Sequence, residues 1–295
     1  MGQGQMMRSV SFYCDSRRDH MTRFIKKVFS YSLLFSIFFS YFSFAEANTS
    51  FVQILKSDED FIYDNYYQIN EDQNLNYFKL LDFTHYKVKF PMPSIPYSRQ
   101  THFGGWLRDN SVGKCLNTRG KVLIRDSATE VSLTPSGCTV VSGLWNDPYT
   151  ARAHDLTKDI EIDHLVALKN AYMTGAHEWD FKKRCLYANY LGNGFHLLSV
   201  NAFENRSKSD HSPSGYTPPN KAFTCEFIKA WLNIKLIWSL RVTPKEASAI
   251  EKIVSENNCN PQNFTVSAEE LNTQRNFMSD NANLCTSAAV ILEKF

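Results

Sequence analysis

The sequence contains no Cys-x-x-Cys pair, although seven cysteines are present. The cysteines are spaced too widely for a compact zinc knuckle, which needs closely spaced pairs of ligands. They therefore need another explanation. An even number of cysteines in an exported chain is typical of disulfide bonds.

A positive charge excess is also missing once the N-terminal leader is set aside. The whole chain has 32 Lys and Arg against 30 Asp and Glu, a formal net charge of +2. Residues 1–45 contain six of these basic and two of these acidic residues, which leaves 26 against 28 and a net charge of −2. This balance excludes a chain-wide positive field for attracting a polyanion. Any such binding must come from a local patch.

The N-terminus has the pattern of a secretory signal peptide. A short basic segment at 21–27 precedes an apolar, uncharged run at 28–45 that ends in a small-x-small sequence. The run is at the short edge for a membrane span, and no basic stop-transfer cluster follows it, so cleavage and export are favoured over a transmembrane anchor. Residues 1–20 are interpreted as an over-extended start. We expect a secreted or periplasmic protein with no stable membrane span after cleavage.

The remaining chain is long enough for one large domain or two modest ones. Residues 46–95 are interpreted as an N-terminal extension with some helix, packed on the main body, and prolines near 91–96 mark a linker. The main domain is predicted at 96–256, and 257–295 is a polar tail of unassigned role. Cleavage leaves six cysteines, and chain order predicts the pairs Cys115–Cys138, Cys185–Cys225 and Cys259–Cys285.

Hydrophobic patterns in the main domain predict an α+β fold with a small β layer. Strands are predicted at 130–134, 138–145, 160–168 and 195–200. Helices are predicted at 171–190 with a break near Gly175, at 222–240, and from a capping box at Thr243 to Val254. Segment 120–126 fits either a helix or the edge of a sheet.

Two segments of this domain contain side chains suited to hydrolysing a phosphodiester. One is the predicted strand within 159–168, which carries Asp163 and His164. The other is the strand and polar helix start at 195–210, which carries Asn205. This reaction needs an in-line water, a base, and positive charge for the phosphate and the leaving oxygen.

His164 suits the base, because an unperturbed histidine titrates near about pH 6.5. Asp163 and Asn205 offer oxygen ligands to one divalent cation, most suitably Mg²⁺. Arg206 and Lys208 follow at a place where side chains and helix N–H groups hold a phosphate. Neighbours on a strand point to opposite faces, so Asp163 and His164 can serve one phosphate only if the strand ends or twists there.

These residues resemble the exported bacterial branch of the HNH endonuclease family, the ββα-metal nucleases. The resemblance covers roughly 97–250 and rests on Asp-His-Leu-Val at 163–166, Asn-Arg-Ser-Lys-Ser-Asp at 205–210 and Pro-Pro-Asn at 218–220. It implies a ββα-metal (HNH) core and a secreted, metal-dependent endonuclease that acts on DNA, with RNA as a further substrate.

The resemblance also implies roles for single residues. His164 is the general base, Asp163 and Asn205 are the metal ligands, and His196 and Asn201 are structural or support the ligands from behind. The helix histidine of the HNH pattern has no clear equivalent here. Whether the nearby His211 contacts the metal stays open, as does the oligomeric state.

Structural alternatives exist for each candidate. An isolated histidine is by default a core residue bonded to a backbone carbonyl, and this reading is favoured for His102, His154, His177 and His196. Asp163 and Asn205 could be caps, Arg206 and Lys208 a solvated surface pair, and Trp231 and Trp238 are interpreted as core.

Two alternatives concern the function of the whole protein. A non-catalytic envelope-binding module would show no metal-dependent turnover, and a metal-dependent phosphatase would cleave small phosphate esters faster than polynucleotide.

Overall fold

The computed structural model describes residues 67–70, 75–83, 92–109, 115–286 and 290–293. All of them belong to one compact unit, Ser50–Phe295. The predicted signal peptide lies outside the described residues, and the predicted domain boundaries stay predictions. Within the described ranges, no helix is both long and apolar enough to cross a membrane.

The described part contains eight α-helices and ten strands, which makes the fold mixed α+β. The helices are α1 (Arg99–Phe103), α2 (Thr118–Asp126), α3 (Leu168–Met173), α4 (Phe181–Ala188), α5 (Ala202–Lys208), α6 (Thr224–Ile237), α7 (Pro244–Glu256) and α8 (Ala268–Asp280). The strands are β1 (Tyr67–Asn70), β2 (Leu75–Lys79), β3 (Trp106–Asp109), β4 (Ser132–Leu133), β5 (Val140–Asp147), β6 (Arg152–Leu156), β7 (Ile160–His164), β8 (Leu197–Asn201), β9 (Thr265–Ser267) and β10 (Val290–Glu293).

The strands form four small antiparallel sheets. Two of them, β1-β2-β9 and β3-β10, join early strands to strands near the C-terminus. The segment after 257, to which the sequence assigned no role, therefore completes two sheets. The other two are β4-β5-β6, the predicted β layer with one strand more than predicted, and the pair β7-β8.

Side-chain caps fix the residues at which two helices, α7 and α5, begin. The predicted capping box opens α7: Thr243 accepts from the backbone N–H of Glu246 at 3.2 Å, and the Glu246 carboxylate accepts from the Thr243 N–H at 2.8 Å. The Asn201 side-chain oxygen caps α5 by accepting from two backbone N–H groups.

The cap at Asn201 places the start of α5 earlier than the sequence predicted. Asn205 therefore lies inside a helix rather than in a turn. The backbone N–H groups of 206–208 lie beyond the first turn, where N–H groups bond to carbonyls of the helix itself. The expectation that they hold a phosphate is corrected.

Two hydrophobic cores support the fold. The larger one surrounds α6 and contains Trp231 and Trp238, each 1% exposed, as predicted. The smaller one lies under β5, β7 and β8 and includes Trp106 and Trp145. The residues of β7 thus meet a packed layer on one side, which fixes the strand beneath the candidate site.

Three disulfide bonds are present, and only one of the predicted pairs is correct. Cys115–Cys138 is confirmed, whereas Cys185 pairs with Cys285 and Cys225 with Cys259. Pairing the cysteines in chain order gave two wrong pairs because the C-terminal segment returns to α4. The turn at Leu284–Thr286 packs there. Spatial neighbours here are far apart in sequence.

Candidate active site

The candidate site is built on β7, β8 and α5. Strand β7 pairs antiparallel with β8, with Asp163 opposite Leu198 and His164 opposite Leu197. Helix α5 begins directly after β8 and packs against both strands. This β-β-α order brings together the two segments that the sequence singled out, although α3 and α4 lie between them in the chain.

A cavity of about 770 Å³ opens beside the end of β7. Four predicted residues line it, namely Asp163, His164, Asn205 and Arg206. Strand β7 ends at His164, and the adjacent Asp163 and His164 both line this cavity. The lining also includes residues that the sequence did not single out: Tyr97, Arg99, Glu161, Lys169 and Asp210. Lys208, His196, Asn201 and His211 are not part of this lining.

A hydrogen bond and a stacking contact help to hold the His164 ring. Its Nε2 lies 2.9 Å from the Ala188 carbonyl oxygen, and the ring stacks on Trp106 with centroids 5.4 Å apart. A carbonyl only accepts, so Nε2 donates, and Nδ1 carries the lone pair of the neutral ring. Burial, with the positive charge of Arg99 as the next cause, holds the pKa of His164 well below its ordinary value. The ring is therefore neutral at physiological pH.

The Asp163 carboxylate is buried and held from two sides. Lys208 Nζ donates to Oδ1 at 2.8 Å, and the Tyr149 hydroxyl donates to Oδ2 at 2.5 Å. Burial raises the pKa of Asp163, and the charge of Lys208 opposes that rise. Two fixed donors leave the carboxylate little freedom to rotate.

Lys208 is fully buried, with a side-chain exposure of 0%. Its ammonium also donates to the His164 carbonyl oxygen at 3.0 Å. It thereby ties α5 to the end of β7 through both Asp163 and His164. This position does not favour the phosphate contact predicted for Lys208.

Glu161 joins the predicted residues, and the sequence analysis missed it. It lies two residues before Asp163, which places both side chains on one face of β7. Asn205 Nδ2 donates to Glu161 at 2.8 Å, and Arg206 donates to it through two nitrogens, at 2.9 and 2.6 Å. The alternation of acidic residues at 159, 161 and 163 was the signal that could have identified it.

His196 and Asn201 lie behind this arrangement. His196 is 1% exposed, and its Nε2 donates to the Tyr187 carbonyl at 2.8 Å. Its ring packs edge-on against Tyr187 and Tyr190. Burial lowers the pKa of His196 to about 3. His196 therefore supports the core, and Asn201 caps α5.

The oxygen atoms lining the cavity fit a weakly held divalent cation. Glu161, Asp163 and Asn205, whose side chains carry oxygen, all line the cavity. Asp163 keeps acceptor capacity beside its two donors, since a carboxylate has about four lone-pair sites. Mg²⁺ suits such a site, because it takes few protein ligands and keeps several waters. Among the described residues, no group of three or more His, Cys, Asp and Glu is arranged as a dedicated metal cage.

Comparison with known proteins places this geometry in context. Residues 118–253 match the family model of the C-terminal domain of GmrSD restriction endonucleases. A curated protein of the fungus Arthroderma benhamiae, described as an uncharacterized secreted protein, is 35% identical over 163 residues. The aligned part is 55% of this chain and 76% of that protein.

The chain belongs to the same family as this fungal protein. The matched endonuclease segment contains β7, β8 and α5, with every residue predicted for the site, and it supports a nuclease family. The bacterial part of the resemblance gains no support, since the relative is fungal, and the matched family description does not specify the HNH type. No solved structure matches the chain.

Proposed function

We propose that the protein is a secreted, metal-dependent endonuclease that hydrolyses phosphodiester bonds of DNA, with RNA as a further substrate. The observation that carries this proposal is the meeting of His164, Asp163 and Asn205 at one cavity, inside the segment that matches a restriction endonuclease domain. In this proposal β7, β8 and α5 are the ββα-metal core. The three disulfides and the description of the fungal relative support export.

His164 acts as the general base. Its Nδ1 takes a proton from the attacking water, while the Ala188 carbonyl holds the hydrogen on Nε2. Stacking on Trp106 fixes the plane of the ring, and burial keeps the ring unprotonated. A positioned base of this kind contributes roughly 10²–10⁴-fold to the rate.

Asp163 and Asn205 would hold one divalent cation, most suitably Mg²⁺, with Glu161 beside them. When bound, the cation supplies positive charge for the phosphate and the departing 3′ oxygen. Lys208 and Tyr149 hold the Asp163 carboxylate in one orientation. Arg206, whose side chain is 72% exposed, is available to contact the nucleic-acid backbone, whereas Lys208 acts as a positioning residue.

The test is plasmid cleavage by the purified, oxidised protein with Mg²⁺ or with EDTA. His164→Asn should lower the rate about 10²–10⁴-fold, because asparagine keeps an N–H but has no basic nitrogen. His154→Asn is the matched control, since His154 lies on β6 outside the cavity lining. Metal-dependent cleavage that needs His164 supports the proposal.

Two outcomes would replace it. A folded protein that cleaves nothing with Mg²⁺, Mn²⁺, Ca²⁺ or Zn²⁺ would favour the envelope-binding module. Faster hydrolysis of small phosphate monoesters than of polynucleotide would favour the phosphatase.

A further inference from the structure

One wall of the candidate cavity comes from residues that precede the matched endonuclease segment. Tyr97 and Arg99 line the cavity together with His164, Asp163, Glu161 and Asn205. Neither residue lies within 118–253. The matched segment by itself therefore leaves the cavity without this wall.

The wall is anchored by the helix that carries Arg99. Ser98 caps α1, and its side-chain oxygen accepts from the Thr101 N–H. His102 and Phe103 at the end of α1 are buried at 7% and 0% exposure. Arg184 on α4 donates to the His102 carbonyl at 2.9 Å. The helix is short, but its C-terminal turn is part of the core.

Contacts on both sides of α1 complete the anchoring. Before it, the Tyr172 hydroxyl donates to the Ile95 carbonyl at 3.1 Å, and Tyr97 stacks on His102. After it, the Asn189 side chain accepts from the Leu107 N–H at 2.8 Å. Arg99 thus projects from a positioned segment, which lowers the entropy lost when its side chain binds a ligand.

Three further cations, Lys208, Arg206 and Lys169, lie at or near the cavity. Lys208 pairs with Asp163, and Arg206 pairs with Glu161 at 2.6 Å. Lys169 pairs with Asp210 at 2.6 Å. The buried Lys208 cannot meet a substrate, whereas the exposed Arg206 can contact the nucleic-acid backbone.

The guanidinium of Arg99 has the shape that a phosphate needs. It presents planar N–H donors that bind two phosphate oxygens at once. Burial lowers the pKa of Arg99, and the nearby Tyr97, Asp163 and Glu161 oppose this. Its charge therefore acts within the same site as the proposed metal ligands, on a side chain that remains accessible.

We propose that Arg99 is a further catalytic residue, which binds the non-bridging oxygens of the phosphodiester next to His164. The inference rests on the proposed nuclease function and adds a residue that the matched segment does not contain. The guanidinium stabilises the charge that develops on the phosphoryl oxygens as water attacks. The active site thus needs the chain from Tyr97 onward.

The experiment uses the full oxidised protein with Mg²⁺ and two substrates, plasmid DNA and bis(p-nitrophenyl) phosphate. Arg99→Ala should lower kcat/KM on both substrates by about 10²–10³-fold, as expected for loss of one donor to a developing oxyanion. Arg99→Lys should retain an intermediate rate. Millimolar guanidinium should restore part of the Arg99→Ala activity and none of the His164→Asn activity. Arg152→Ala, on the exposed strand β6, is the matched control for loss of one positive charge and should stay within twofold of wild type.

Each outcome decides the inference. Arg99→Ala activity within threefold of an active wild type overturns it and leaves the proposed function standing. A loss on plasmid alone, with the small diester unaffected, also overturns it, because the residue would then contact only distant backbone. Wild-type inactivity on every substrate overturns the proposed function, and the inference falls with it. If thermal unfolding shows that Arg99→Ala does not fold, Arg99→Lys and Arg99→Gln decide by the same threshold.

Discussion

Two histidines at the ends of paired strands occupy opposite environments. His164 ends β7 and His196 precedes β8, and each donates Nε2–H to a carbonyl of α4, at Ala188 and Tyr187 respectively. Both rings are buried and both pKa values are lowered by burial. The two rings differ in their other neighbours. His164 lines a cavity with carboxylates and cations, whereas His196 Nδ1 is buried without a hydrogen-bond partner among aromatic rings.

The comparison shows that burial and a backbone tether do not distinguish a reactive histidine from a structural one. The difference lies in the neighbours: His164 lines a cavity with charged residues, whereas His196 is enclosed by aromatic rings. Ion pairs organise the cavity side of the β7–β8 pair, and packed aromatic rings organise the side around His196. Four predictions test this separation, beginning with the largest expected effect.

The first prediction compares the effects of replacing each of the two histidines. His164→Asn should lower the rate of plasmid cleavage by about 10²–10⁴-fold. His196→Asn should change it less than tenfold at a temperature where the variant is folded, because its ring touches no substrate. Steady-state rates with circular dichroism on the same samples check this. An equal loss in both variants would remove the distinction between the two sides.

The second prediction concerns the ion pairs of the cavity side. Lys208→Met should cost about 3–5 kcal/mol of unfolding free energy, because it leaves the Asp163 carboxylate buried without its cation. Lys169→Met, which removes a pair that is 51% and 38% exposed, should cost no more than about 1 kcal/mol. Urea unfolding measures both. Similar losses would mean that the buried pair does not organise the end of β7.

The third prediction targets the helix that tethers both histidines. Removing Cys185–Cys285 or Cys225–Cys259 by double alanine substitution should each cost about 2–4 kcal/mol. Only the first should also slow cleavage by the protein that remains folded, since Cys185 lies on α4 just before the carbonyls of Tyr187 and Ala188. Rates compared at equal folded fraction test this. Equal slowing by both pairs would contradict a specific role of α4.

The fourth prediction concerns the contribution of His196 to the pH dependence of the unfolding free energy. Its pKa is about 3 in the folded protein and 6.5 as the reference value, so the unfolded chain binds more protons between these values. Stability should therefore fall as pH drops below about 6.5, with His196 contributing about 1.4 kcal/mol per pH unit. His196→Asn should remove this part of the slope and leave the slope above pH 7 unchanged. Urea unfolding from pH 4.5 to 7.5 without metal measures it, and identical slopes would refute the assignment.

Much of the local structure followed from the sequence. The capping box of α7, the strands around Asp163 and His196, the break near Gly175 and the Cys115–Cys138 pair were all predicted correctly. Each depends on residues within a few tens of positions, where periodicity, turn residues and caps act directly. Strand β6 was missed because its residues are mostly exposed and show no apolar alternation.

Periodicity, turn residues and caps could not predict the contacts between segments that are distant in sequence. The two remaining disulfides, the pairing of β10 with β3 and the wall that carries Arg99 depend on where the chain returns in space. The burial of Lys208 was not predictable either. A lysine after a polar helix start is expected to be exposed, and only the packing of α5 on β7 buries it. The sequence analysis missed Glu161 for the same reason, because Asn205 and Arg206 contact it only when α5 packs on β7.

The sequence alone determined which chemistry is available: an Asp-His pair on a strand, an asparagine after the next strand and cysteines for an oxidising compartment. Tertiary structure decided how those groups are used. It oriented the His164 ring through a carbonyl of α4, directed Lys208 inward to Asp163 and placed Arg99 on the cavity wall. The physical reason is that residue type sets what a side chain can donate, accept or titrate, whereas burial and neighbours from other segments set whether it does so.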